Sequence, residues 1–162
     1  MKQLSSLGEL AEVFTKNTLG MMVTMQAGLE KAAVVVEKDA KQRIGEYQEA
    51  EGPFPAWAEL SDSTKEDRAR QGYTENDPLL RSGDLQRSIE HEVGYTEAVI
   101  GSKSPVAAYQ EFGTYRIPPR PFLGPAAFHN KKRIQRILGA AMVSGLVGGS
   151  PVHALLGYDG DV

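Results

Sequence analysis

Residues 80–101 read LRSGDLQRSIEHEVGYTEAVIG, and this stretch separates an α+β chain from an all-helical one. Leu85, Ile89 and Val93 share one parity with His91, while Gln86, Ser88, Glu90 and Glu92 take the other. A period of two marks a strand with one face in water. Gly94 and Tyr95 turn the chain, and Ala98, Val99 and Ile100 supply a second strand, so the pair makes a hairpin. The early part, residues 80–88, also permits a helical turn, because Leu85 and Ile89 are four apart.

Upstream, the pattern is helical. Residues 4–16 read as a short amphipathic helix with Leu7, Leu10, Ala11 and Phe14 on one side and Ser5 or Ser6 as cap. A break is expected at residues 17–20. A second, longer helix then runs over residues 19–47, where Leu19, Met22, Val23, Leu29, Ala33, Val36, Ala40, Ile44 and Tyr47 recur at spacings of three, four or seven. Glu37 with Lys41 and Asp39 with Arg43 are well-oriented i,i+4 pairs on its outer face. Residues 51–79 form a loop excursion. Pro53 and Pro55 stop the helix, and Ser63-Thr64-Lys65-Glu66 resembles a capping box opening a short polar helix that ends near Gly72. Phe54, Trp57 and Tyr73 are its large apolar anchors.

Downstream of the hairpin, Ser104-Pro105 opens a short helix reaching Phe112, with proline in the first turn, where its missing N–H costs little. Pro118, Pro119 and Pro121 each fix φ and push the preceding residue toward extended backbone, so residues 113–125 read as a stiff arm. Gly124-Pro125 begins a last helix over residues 126–146. Phe128, Ile134, Ile137, Leu138, Ala141 and Met142 line its buried side, and Lys131, Lys132, Arg133 and Arg136 make it basic. The expected architecture is one α+β domain over residues 1–162, with a long N-terminal helix and a C-terminal helix packed on a small antiparallel β-sheet. Its parts are N-terminal helices (1–50), the excursion (51–79), the sheet and last helix (80–147) and a Gly-rich tail (148–162).

The composition supports a core, since 41% of the 162 residues are hydrophobic. Without cysteine there is no disulfide framework, thiolate metal site or thiol nucleophile. Residues 1–10 do not resemble a signal peptide, and the longest weakly apolar stretch, residues 139–149, falls short of the roughly 20 residues a spanning helix needs. A soluble chain made in the cytoplasm, with no membrane partner, is expected. Charge is uneven: residues 1–111 carry 12 Lys+Arg against 19 Asp+Glu, and residues 112–162 carry 6 against 2. His91, His129 and His153 lack metal-ligand spacing. Ser82 lies in Arg-Ser-Gly-Asp, not in a nucleophile elbow, and no glycine-rich phosphate loop is present. Glu46, Glu49 and Glu51 read as a solvated helix end. No enzyme, metal or cofactor is expected. The basic last helix reads as a solvated face, as a contact with an acidic protein neighbour, or as a contact with the DNA backbone.

The run Tyr109-Gln110-Glu111-Phe112-Gly113-Thr114, followed by Ile117-Pro118-Pro119-Arg120-Pro121-Phe122-Leu123-Gly124, resembles the signature of phage virion-morphogenesis and tail-completion families, Mu-type and lambda-like. Leu79-Leu80-Arg81-Ser82-Gly83-Asp84-Leu85, Val99-Ile100-Gly101-Ser102 and Trp57-Ala58-Glu59-Leu60-Ser61 match the same layout. The resemblance implies a structural virion protein of a tailed phage, made in the host cytoplasm. It would complete the tail or neck as a homo-oligomeric, most simply hexameric, ring at the head–tail junction. Other neck and tail proteins would be its partners, with non-specific contact to packaged DNA allowed. A tail terminator capping the tail tube and a DNA-contacting channel or packaging protein are the alternatives. On this reading the interface comprises Tyr109, Phe112, Arg116, Ile117, Pro118, Pro119, Arg120, Pro121 and Phe122. Arg120 is held out between prolines, and Phe122 anchors beside it. Lys132, Arg133 and Arg136 would face Glu46, Glu49 and Glu51 of the next copy. Equally, the arm would cross and cap the domain's own sheet edge, where proline is at home.

Overall fold

The computed structural model describes residues 7–146. The expected cap at Ser5 or Ser6, His153 and the tail lie outside the described residues. The chain forms α1 (Leu7–Gln42), α2 (Asp62–Arg70), α3 (Asp84–Arg87), β1 (Ile89–Val93), β2 (Ala98–Ser102), α4 (Pro105–Phe112), α5 (Leu123–His129) and α6 (Lys131–Leu146). The two strands pair as an antiparallel hairpin, so the class is α+β, with a long N-terminal and a C-terminal helix.

Several expectations need correction. The break at residues 17–20 is absent, and α1 runs unbroken for 36 residues, about 54 Å at 1.5 Å per residue. A single interior glycine costs only about 1 kcal/mol, which tertiary contacts along the helix offset. The helix stops at Gln42, short of Tyr47, because Gly45 takes a φ of +110° and gives its N–H to the Pro78 carbonyl at 2.9 Å. The expected last helix is in fact two, α5 and α6, separated at Asn130. Phe128 and Met142, placed on its buried side, are 45% and 48% exposed. The cap of α2 also differs: Ser61 accepts from the Thr64 N–H, two residues before the expected Ser63.

The chain folds as two compact units, each assembled from separated stretches. Among the described residues, the first takes residues 7–32, 93–98 and 132–146. Within it α1 and α6 approach closely through small side chains. A Cβ on Gly28 would lie 2.7 Å from that of Ala141, and one on Gly145 would lie 2.5 Å from the Met21 Cα. Leu29, Ile137 and Ala140 are buried there, whereas Leu19, Met22, Val23, Val143 and Leu146 stay exposed. Asn17–Gln42 is long and apolar enough to cross a membrane by length and composition, so residues 139–149 are not the longest apolar stretch. Only 22% of its most apolar window is buried, which leaves a helix surface with room for neighbours.

The second unit takes residues 33–92 and 99–131. Ala33, Val36 and Ala40 lie on the second half of α1 at spacings of three and four, Ile44 follows just past its end, and all four are buried in this unit, as are Trp57, Leu85, Ile89, Ala107, Phe122 and Ala126. The burial of β1 alternates from Ile89 onward, as its period-two pattern requires. α3 supplies the helical turn before it, and the Gln86 side chain donates to the Lys41 carbonyl at 2.8 Å. Ser88 and Ser102 hydroxyls meet at 2.7 Å across the hairpin.

Candidate assembly interface

The turn after α4 is built by four local devices. Gly113 ends the helix at a φ of +73°, in the left-handed region that favours glycine. A Cβ there would lie 2.9 Å from the Ile117 carbonyl oxygen and the Pro119 nitrogen. Thr114 closes the loop: its N–H donates to the Ile117 carbonyl at 2.8 Å, and its hydroxyl accepts from the Arg116 and Ile117 N–H groups. The Arg120 N–H returns to the Gln110 carbonyl at 2.7 Å. Glu111 then reaches past the turn. Its carboxylate accepts from the Phe122, Leu123 and Gly124 N–H groups at 2.8, 3.0 and 2.8 Å. These are orphan donors at the start of α5, whose own cap residue, Phe122, supplies no side-chain acceptor.

The arm therefore folds inward, and Arg120, Pro121 and Phe122 are not available to a neighbour in this conformation. Arg120 is 6% exposed and donates to the Ala58 and Glu59 carbonyls. Phe122 is fully buried. The Pro121 carbonyl accepts from the Trp57 indole N–H at 3.0 Å. The residues held out are others. Val106, Tyr109 and Phe112 project from α4 at intervals of three and are 45%, 53% and 81% exposed, and Tyr115 in the turn is 89% exposed. Arg116 lies over the Tyr115 ring at 4.9 Å. Pro118 and Pro119 are also exposed, and Ile117 is half-buried. Lys132, Arg133 and Arg136 are exposed on α6.

Of the three acids set opposite them, Glu46 and Glu49 are exposed. Glu51 is already engaged within the second unit, by the Arg43 guanidinium at 2.8 Å and the His129 ring at 2.9 Å. Arg43 also binds Asp39, which accepts from the buried Asn130 amide at 2.6 Å. This network ties the end of α1 to the end of α5. Burial alone would raise the Glu51 carboxyl, but hydrogen bonds from Arg43 and His129 outweigh it and hold it below its usual 4.5. Glu37 behaves alike: burial opposes ionisation, and hydrogen bonds from Lys41 and His91 prevail. Both folded-state values lie below the unfolded one. The stability these groups contribute is fully present above about pH 4.5 and is lost as pH falls through the lowered values. Urea midpoints measured from about pH 6 to about pH 3 should therefore decline on the acid side. A Glu37→Gln/Glu51→Gln variant should show a shallower acid decline. An unchanged decline would assign acid sensitivity to other carboxylates.

Among the described residues, no three His, Cys, Asp or Glu side chains form a group able to hold a metal ion. Two residues that matter here went unremarked in the sequence. Glu111 stands inside the Phe-Gly run, but its partners are 11 to 13 residues away. Arg68 is 5% exposed in α2, which looks polar throughout.

A family model of phage virion morphogenesis proteins matches residues 6–143. The chain belongs to the phage virion morphogenesis family. No curated protein and no solved structure matches the chain significantly. The match covers α1 through most of α6, well beyond the motifs around the Phe-Gly turn. Membership in the phage virion morphogenesis family gives the chain a role in virion assembly and fits a virion-associated protein. The family is one of structural and morphogenetic proteins.

Proposed function

We propose that this chain is a tail-completion or neck protein that closes into a ring, most simply a hexamer, at the head–tail junction, and acts by assembly and not by catalysis. The observation that carries the reading is the outward patch of Val106, Tyr109, Phe112 and Tyr115 in a virion morphogenesis protein. Large side chains left in water together mark contact surfaces, and aromatics concentrate binding energy in interfaces. A head-to-tail contact through this patch closes a ring if the rotation suits. Lys132 and Arg136 facing Glu46 and Glu49 of the next copy would orient such an encounter more than tighten it.

A Tyr109→Asp/Phe112→Asp variant should keep the thermal stability of the parent, because both side chains already face water. In native mass spectrometry it should lose the ring. Phage lacking the gene should give full heads beside unattached tails, restored by the parent protein and not by the variant. Normal particles without the protein, or full rescue by the variant, would overturn the proposal.

A further inference from the structure

Three of the stretches that carry the phage resemblance meet within the second unit. Residues 59–61, 79, 81–85 and 116–118 with Arg120 line an open groove of about 620 Å³, completed by Thr64 and Arg68 of α2, Ser104, and Val106 and Gln110 of α4. The groove lies on the side of α4 next to the exposed patch and shares Val106 and Arg116 with it.

Its electrostatics are unfinished. Arg68 and Arg120 are 5% and 6% exposed. Arg68 donates to the Thr74 and Leu80 carbonyls, and Arg120 to those of Ala58 and Glu59. Carbonyls satisfy the N–H groups but leave both positive charges uncancelled. A buried charge without a counter-ion is costly, and burial pushes Arg120 below the usual guanidinium range. Arg116 at the rim touches only a tyrosine ring. The two carboxylates of the lining are engaged elsewhere, Asp84 by Arg87 and Glu59 by Lys65. The Gln110 Oε1 atom is buried and accepts no hydrogen bond, an arrangement that folded proteins rarely leave unmatched. At the groove edge, Leu79 holds a φ of +63°, a strained setting for a branched side chain.

An occupant must bring a negative charge, an N–H donor and apolar surface. A phosphate backbone brings only the first. An extended peptide bearing aspartate or glutamate beside an apolar residue brings all three. We propose that the groove binds an extended acidic segment of a partner protein. Its carboxylate sets against Arg116, in the field of Arg68 and Arg120, and a backbone N–H donates to Gln110 Oε1; Arg81 is already held by Asp67 at 3.1 Å. Ring closure is not required, so dilute monomer should bind as well.

The full chain is titrated by fluorescence anisotropy with a fluorescein-labelled heptapeptide alternating leucine with aspartate. The same peptide with asparagine and a short DNA duplex serve as comparisons. The aspartate peptide should bind, weaken as salt rises, and exceed the asparagine peptide by roughly thirtyfold or more, the scale on which a desolvated charge contact is lost. Arg116→Ala, at an exposed position, should weaken binding without changing the melting temperature. Gln110→Leu should weaken it with the charges intact. Absence of binding, equal affinity for both peptides, or indifference to both variants would overturn the proposal. Tighter binding of the duplex, with displacement of the peptide, would make the groove a nucleic-acid site instead.

Discussion

Replacing Phe122 with alanine should destabilise the second unit by about 3–5 kcal/mol, the usual cost of emptying an aromatic site in a core. Typical domains hold only about 5–15 kcal/mol in all, so much of the variant should be unfolded under mild denaturant. Phe122 is fully buried, and packed interiors relax only partly around a cavity. Trp57, the only tryptophan, donates to the neighbouring Pro121 carbonyl. Its fluorescence therefore reports on this core directly, and the urea midpoint read from it checks the expectation. Were the midpoint unchanged while ring assembly failed, Phe122 would be an interface anchor after all and the inward arm would be wrong.

Glu111→Ala should cost on the order of 3 kcal/mol: one charged acceptor serves three backbone donors, hydrogen bonds to charged groups are each worth about 1.5–3 kcal/mol, and bonds that share one group add up to less than their sum. The conservative change is more informative. In Glu111→Gln the carbonyl oxygen can still take the Phe122 and Leu123 N–H groups, which share one carboxylate oxygen now. The new amide would then point two donors at the Gly124 N–H, which now meets the other oxygen. The variant should lose roughly half the full effect, and hydrogen exchange should speed most at the Gly124 amide. Equal stability of Glu111→Gln and the parent would show that the negative charge at the start of α5 contributes nothing.

Local signals were legible and long-range ones were not. The hairpin followed from the alternation of Ile89, His91 and Val93 and from the turn at Gly94, whose N–H donates to the Glu97 carbonyl at 2.8 Å. α4 followed from Ser104-Pro105, and its ends fall where expected. The arm's docking surface stayed open, between a neighbouring copy and the domain's own sheet edge, for a definite reason. Three prolines fix φ along the segment, but they do not say which surface it meets. That is decided by Trp57 and Ala58, 64 and 62 residues from the groups they bind. The groove was invisible for the same reason, since its arginines are scattered from residue 68 to residue 120. The missing break in α1 has another cause: Gly20 looked like a stop, but one glycine inside a 36-residue helix costs only about 1 kcal/mol, and a Cβ there would meet the Gly145 carbonyl oxygen at an ordinary 3.7 Å.

The bond between Asp39 and Asn130 spans 91 positions of the chain, and it sets a timetable for the ribosome. The second unit needs the end of α1, the irregular segment around Trp57 and the end of α5 at once. At about 5–20 residues per second of synthesis, α1 waits several seconds for the segment that seals it. During that interval its long apolar face has no native cover. Contacts so distant in sequence slow folding, so expression at lower temperature, or co-expression with a general chaperone, should raise the soluble yield more than any change to the surface of the finished protein.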